Sequence, residues 1–437
     1  MRVPWLRQGG APRRREPSAA DVTTEGSSKD DLHFGHAHGH AHPARRASRR
    51  VRLLLGAALV PVLLVTVLGV VLLWPHGPSA LGSVEVLAGG SVYLQVDVTG
   101  APPGGLGDGI VGVAGVLDDG TKVTVQVPPE QMDAGLGRGD RIKVLRVTGA
   151  QVIGSPYIFV DYVRSVPIGL LAIVYATIVV LVARWRGVAA VAGLVISLTG
   201  IGLFTLPALL AGSSGLAVGL VTASALMFVV LYLAHGFTAR TTTALLGTIA
   251  GLAVTGALGW WAAGAANLTG LVGEDALQLP AYAPAVDLRG VVLCGLILAG
   301  LGVLNDVTIT QASAVWELHA TRPDASRREL FTSAMRIGRD HIASTVYTIA
   351  FAYVGAALPM LLLVSLLAVP LGHTLTSGEI AEEVVRTLVS SIGLVLAIPL
   401  TTAVAVVAVG ADPPAGERAS ASAPGADPVS LAGHGRR

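Results

Sequence analysis

The sequence predicts an α-helical polytopic membrane protein, with about eight transmembrane helices and a small extracytoplasmic all-β domain, OB-like or SH3-like, between helices one and two. Three observations carry this. Of 437 residues, 52% are hydrophobic and only 13% charged, where a soluble domain carries about a quarter. Between Arg186 and Glu274 the only charged residue is Arg240. The stretch from Pro75 to Arg164 interrupts the apolar pattern with short β-branched runs. Such a composition excludes a soluble globular enzyme, a disordered chain and a collagen-like one. With a single cysteine, Cys294, no intrachain disulfide is available. Only 3 of the 30 basic residues are lysine, and that bias, with abundant Ala, Val and Gly, points to a GC-rich bacterial genome.

Residues 1–50 are rich in Pro, Gly, Ser and Arg and lack apolar periodicity, so a disordered cytoplasmic tail is expected. Arg45, Arg46, Arg49, Arg50 and Arg52 lead into an apolar run over 53–74. Its 22 residues reach about 33 Å as a helix, enough for the hydrocarbon core. A cleaved signal peptide has a shorter apolar core, so this run reads as a retained anchor.

Over 76–164 the runs Val92 to Val98, Ile110 to Leu117, Lys122 to Val127, Arg141 to Val147 and Tyr157 to Val163 are strand-like. Turn signals at 101–109, Asp118-Asp119-Gly120 and Gly137 to Asp140 separate them. Five short strands predict a small barrel. Its nine acidic residues against six basic ones argue against nucleic acid. A structural cap, or a domain that binds an envelope protein, is the expected role.

Seven further spans are expected near 166–183, 188–208, 215–234, 242–264, 289–311, 345–369 and 385–409, forming a bundle over 166–410, with a disordered cytoplasmic tail over 411–437. The positive-inside rule places both termini in the cytoplasm of a bacterial cell and the chain in its cytoplasmic membrane. Arg184, Arg186, Arg240, Arg322, Arg327, Arg328, Arg336 and Arg339 then lie inside. Glu274, Asp275, Asp287, Glu379, Glu382 and Glu383 lie outside.

Two places attract chemistry. His33, His36, His38, His40 and His42 cluster in the N-terminal tail, and neutral imidazole ligates Zn, Ni and Cu. A tract without fixed geometry binds weakly, so no dedicated cofactor is expected. The second place is intramembrane. Asn305 and Asp306 fall inside the 289–311 span, and a membrane carboxylate is costly unless it has a partner or water. At helical spacing Asp306, Thr310, Ser313 and Glu317 make one polar stripe. Arg336, Asp340, Ser344 and Thr348 make a second in the following span, flanked by Arg339 and His341. Contact between the stripes would satisfy both, with Arg336 or Arg339 as the expected partner of Asp306.

Gly215 with Gly219, and Gly247 with Gly251, match Gly-x-x-x-Gly, which permits close helix approach. No lysine follows a phosphate-loop pattern and no His-Glu-x-x-His occurs, so neither a nucleotide-driven motor nor an enzyme is expected.

The segments LNDVTITQASAVWEL (304–318) and MRIGRDHIASTVYTIAFAYVGAALP (335–359) resemble the YibE/F-like membrane protein family, over roughly 80–410. The resemblance implies a multi-pass inner-membrane protein and supplies no catalytic residues. Three functions follow as expectations: a secondary transporter or permease component for an unnamed substrate, a non-transporting envelope scaffold, or metal handling through the histidine tail.

Overall fold

The computed structural model describes residues 48–77, 81–84, 90–100, 111–147, 154–366 and 370–409. The histidine run and the 411–437 tail lie outside the described residues. Helix α1 (Arg49–Leu73) begins ahead of its apolar run because Ser48 caps it, accepting the Val51 N–H at 3.3 Å.

The β domain comprises β1 (Val92–Val98), β2 (Val111–Leu117), β3 (Lys122–Val127), a short α2 (Pro129–Asp133), β4 (Arg141–Arg146) and β5 (Tyr157–Tyr162). They close a barrel in the order β1-β2-β3-β5-β4, with only β3 and β5 parallel. Alternation decides the inside: Val96, Val98, Ile142 and Val144 point inward while Gln95, Asp97, Arg141 and Lys143 are exposed. Closure pairs every described strand on both sides, which limits the edge that could invite aggregation. At the β2–β3 turn the Asp119 carboxylate accepts the Thr121 N–H at 2.9 Å, which holds its pKa below the usual carboxylate value. That contribution is present above the ordinary carboxylate range and is lost as pH falls through the lowered value. Ile142 is fully buried at the centre of the barrel. Ile142→Ala should therefore cost about 2 to 5 kcal/mol, read as faster hydrogen exchange in the strands while exchange in the membrane helices is unchanged.

The remaining helices are α3 (Ser165–Ala183), α4 (Trp185–Gly200), α5 (Leu206–Leu210), α6 (Gly215–His235), α7 (Ala239–Ala265), α8 (Glu274–Tyr282), α9 (Leu288–Thr321), α10 (Arg327–Ala356), α11 (Leu358–Leu366), α12 (Leu371–Leu375) and α13 (Gly378–Val409). A π-helical turn over Ile201–Thr205 joins α4 to α5 just before Pro207. Counting α4 to α5 as one, 7 helices among the described residues are long and apolar enough to cross a membrane. Helices α10 and α11, bent by 65°, form an eighth if taken as one span. The span expected near 345–369 is thus, over its described residues, a broken helix that begins at Arg327. It starts early because Ser326 and Glu329 form a reciprocal capping box. It breaks beside Pro359, whose ring clashes with the preceding turn.

Contacts between helix ends support one bent span. The Gly270 N–H donates to Glu382 at 3.0 Å, so the start of α13 meets the α7–α8 connection. At the opposite end Val51, Leu55 and Ala408 pack together with Ala239 and Trp316. Helices α10 to α12 therefore travel the length of the bundle.

The interior is built on small residues. A Cβ on Gly247 would overlap Thr401, one on Gly251 would lie 3.0 Å from Ala397, and one on Gly393 would overlap Thr255. These pairs recur one turn apart, so α7 and α13 interlock antiparallel, glycine against threonine or alanine. The parallel pair α6 and α9 does the same through Gly215 against Gly290 and Gly219 against Cys294.

Candidate functional site

Helix α9 runs for 34 residues, about 51 Å, and packs against α6, α7, α10 and α13. What those neighbours leave uncovered differs from the open surface of an apolar helix such as α3. Between Gly290 and Leu318 the exposed residues are Gly295, Ala299, Gly302, Asp306, Thr310 and Glu317, with Ser313 half-buried on the same line. They follow one another every three or four positions, so they form one face. None is a large apolar residue. Helix α3 shows the contrast: its open surface carries Val166, Ile168, Leu171, Leu181 and Val182. Lipid chains match the surface of α3, whereas a carboxylate and hydroxyls at that depth call for water or protein.

Asp306 sits near the middle of that face, its side chain 70% exposed. Its nearest basic partner is His341 of α10, with Nε2 3.8 Å from Oδ2. This distance is too long for a hydrogen bond and short enough for Coulombic attraction when the imidazole is charged. The Nε2 atom is itself shielded and has no hydrogen-bond partner. The Asn305 Oδ1 is likewise shielded and unpartnered.

The expected pairing of Asp306 with Arg336 or Arg339 is corrected by this geometry. Both arginines are exposed, and among the described residues no ion pair joins either to Asp306. Their positions turn them to the outer side of α10, while His341 lies on the edge toward α9. Nor do the two stripes interlock. Asp340, Ser344 and Thr348 stay exposed, with the Thr348 hydroxyl donating to the Ser344 carbonyl at 3.1 Å. Ser313 donates to its own helix, at Ile309, and Glu317 faces Arg240 of α7 at 4.0 Å. The stripes meet at one point, Asp306 with His341.

The contact that does join α9 to α10 and α13 was not singled out from the sequence. Gln311 is buried, and its Nε2 donates to the Ala334 carbonyl at 3.0 Å and to Thr402 at 2.8 Å. One turn away Thr308 bonds Thr248 of α7 at 2.7 Å. Gly338 makes room, since a Cβ there would lie 2.7 Å from Ile398 and 3.1 Å from the side-chain Oε1 of Gln311. The signal was present: Gln311 lies on the apolar side of the helix that carries Asp306, where an amide needs a partner. Among the described residues no group of three or more His, Cys, Asp or Glu is placed to hold a metal ion.

No curated protein and no solved structure matches the chain. A family model does, over residues 171–411. The match opens within α3 and runs past the end of α13, so it takes in Asp306, Gln311 and His341 and leaves the β barrel outside. On that match, which covers more than half of its length, the chain belongs to the YibE/F-like protein family.

Proposed function

We propose that this chain is a permease of the bacterial cytoplasmic membrane, with both termini in the cytoplasm, that conducts a polar solute along the open face of α9. The observation that supports this most is that face itself: small and polar at every exposed position, around a carboxylate, in contrast to the apolar open surface of α3. Water and solute are stabilised there by the hydroxyls and the carboxylate, and lipid is not. The role is one of passage and needs no catalytic residue. The orientation rests on the arginine-rich connections, and the histidine tail would add at most weak Zn, Ni or Cu capture.

Water access tests the reading. Because Cys294 is the only cysteine, a Cys294→Ala chain is a clean background. Membrane-impermeant methanethiosulfonates attack thiolates, which form in water. Thr310→Cys and Gly302→Cys are expected to react on the order of tenfold or more faster than Leu171→Cys on α3. Equal, slow reaction at all three positions would sink the permease reading.

That dry outcome would favour a scaffold. The barrel carries an exposed apolar row, Tyr93 of β1 and Ile158 of β5 on either side of Leu145, suited to an envelope protein partner. The strand order, with β3 and β5 parallel and α2 between β3 and β4, supports an OB-like assignment of this domain.

A further inference from the structure

We infer that the Asp306–His341 pair is a proton-binding site whose occupancy closes the polar face of α9; this rests on the permease reading above. The geometry carries it. His341 Nε2 is shielded, has no hydrogen-bond partner, and stands 3.8 Å from Asp306 Oδ2. With the single ring proton of a neutral imidazole on Nδ1, Nε2 and Oδ2 would face each other as two acceptors. One proton added to Nε2 converts both into a charge-assisted hydrogen bond, which is shorter by about 1 Å. Histidine is the side chain that exchanges a proton in the physiological range. No electron or other atom moves: a proton from water binds nitrogen, and its release regenerates the open pair.

Among the described residues, Asp306 is the one charged group paired with His341 from a neighbouring helix. The apolar cluster beside the pair joins Leu394 and Ile398 of α13 to Val307 of α9 and to Ile342, Ile349 and Tyr353 of α10. Helix α11 carries no titratable side chain. On α10 itself Arg336, Arg339 and Asp340 are exposed. The pair also joins the two helices at the one place where their polar stripes meet. Tightening it draws α10 over the face of α9, and the break between α10 and α11 lets the inner segment move without carrying the outer one.

The test uses the full chain in liposomes, in the Cys294→Ala background. The labelling rate of Thr310→Cys is divided by that of an exposed reference, Thr332→Cys, which cancels the pH dependence of the thiol. Between about pH 8 and about pH 6 the ratio is expected to fall about tenfold, as the proton closes the face. In His341→Gln and in Asp306→Asn the ratio should be flat across that range. A flat ratio with His341 and Asp306 both present, or a step that persists in His341→Gln, would overturn the proposal. Rapid labelling that ignores pH rejects the proton site alone, whereas slow labelling at every pH matching Leu171→Cys rejects the permease reading itself.

Discussion

Gly215→Ala is expected to destabilise the folded bundle by about 3 kcal/mol, the upper end of the overpacking range. A methyl group at this position would fall on the backbone of Gly290, where α6 and α9 cross. No rotamer change relieves that clash, so the helices must separate and give up the packing of Val218, Ala223 and Cys294 around the crossing. Unfolding in mixed micelles of mild and denaturing detergent measures the loss. Gly169→Ala on α3 is the control, because nothing lies within 4 Å of its added methyl. There the better helix propensity of alanine should leave stability unchanged or raise it by about 1 kcal/mol. Equal effects at the two positions would mean that the close crossing is not what holds α6 to α9.

Gln311→Ala is expected to cost about 3 kcal/mol, combining a cavity with the loss of two buried hydrogen bonds. The amide links three helices at once, reaching Ala334 on α10 and Thr402 on α13 from α9. Gln311→Met separates the two contributions. It keeps the volume and removes the donors, so it should cost about 1 kcal/mol, as interhelical hydrogen bonds in membranes do. The same detergent titration reads both variants. If Gln311→Met proved as damaging as Gln311→Ala, polarity rather than packing would dominate at this site. In either case the outward-facing Thr310, one residue away, should tolerate replacement by alanine with little change in stability.

Much of the architecture is legible in the sequence because it is local. The apolar run over 53–74 is long enough to span a membrane whatever surrounds it, and Ser48 and Ser326 start their helices through bonds three residues away. The alternation in VYLQVDV and RIKVLRV likewise marks two strands of a barrel without knowledge of their partners. The broken span was harder to read. Its capping box and Pro359 are both visible in the sequence, yet the apolar average from 345 to 369 conceals the break between them.

The candidate site divides in the same way. That Asp306, Thr310, Ser313 and Glu317 share a face follows from the pitch of a helix, and so does the grouping of Arg336, Asp340, Ser344 and Thr348. Which face is open depends on how each helix is rotated about its own axis, and that is settled by contacts between distant segments. Gly215 on Gly290, Gly247 on Thr401 and Gln311 in the angle between α10 and α13 set the rotation of α9. That rotation leaves Asp306 uncovered and brings it to His341 rather than to an arginine. The sequence by itself thus determined the strands, the spans other than the broken one, and the cost of a carboxylate among them, because those depend on chain-local periodicity and transfer energy. Only the tertiary structure decided what that carboxylate faces, because close packing of glycines and hydroxyls on the far side of the helix, not any property of Asp306, turns it outward.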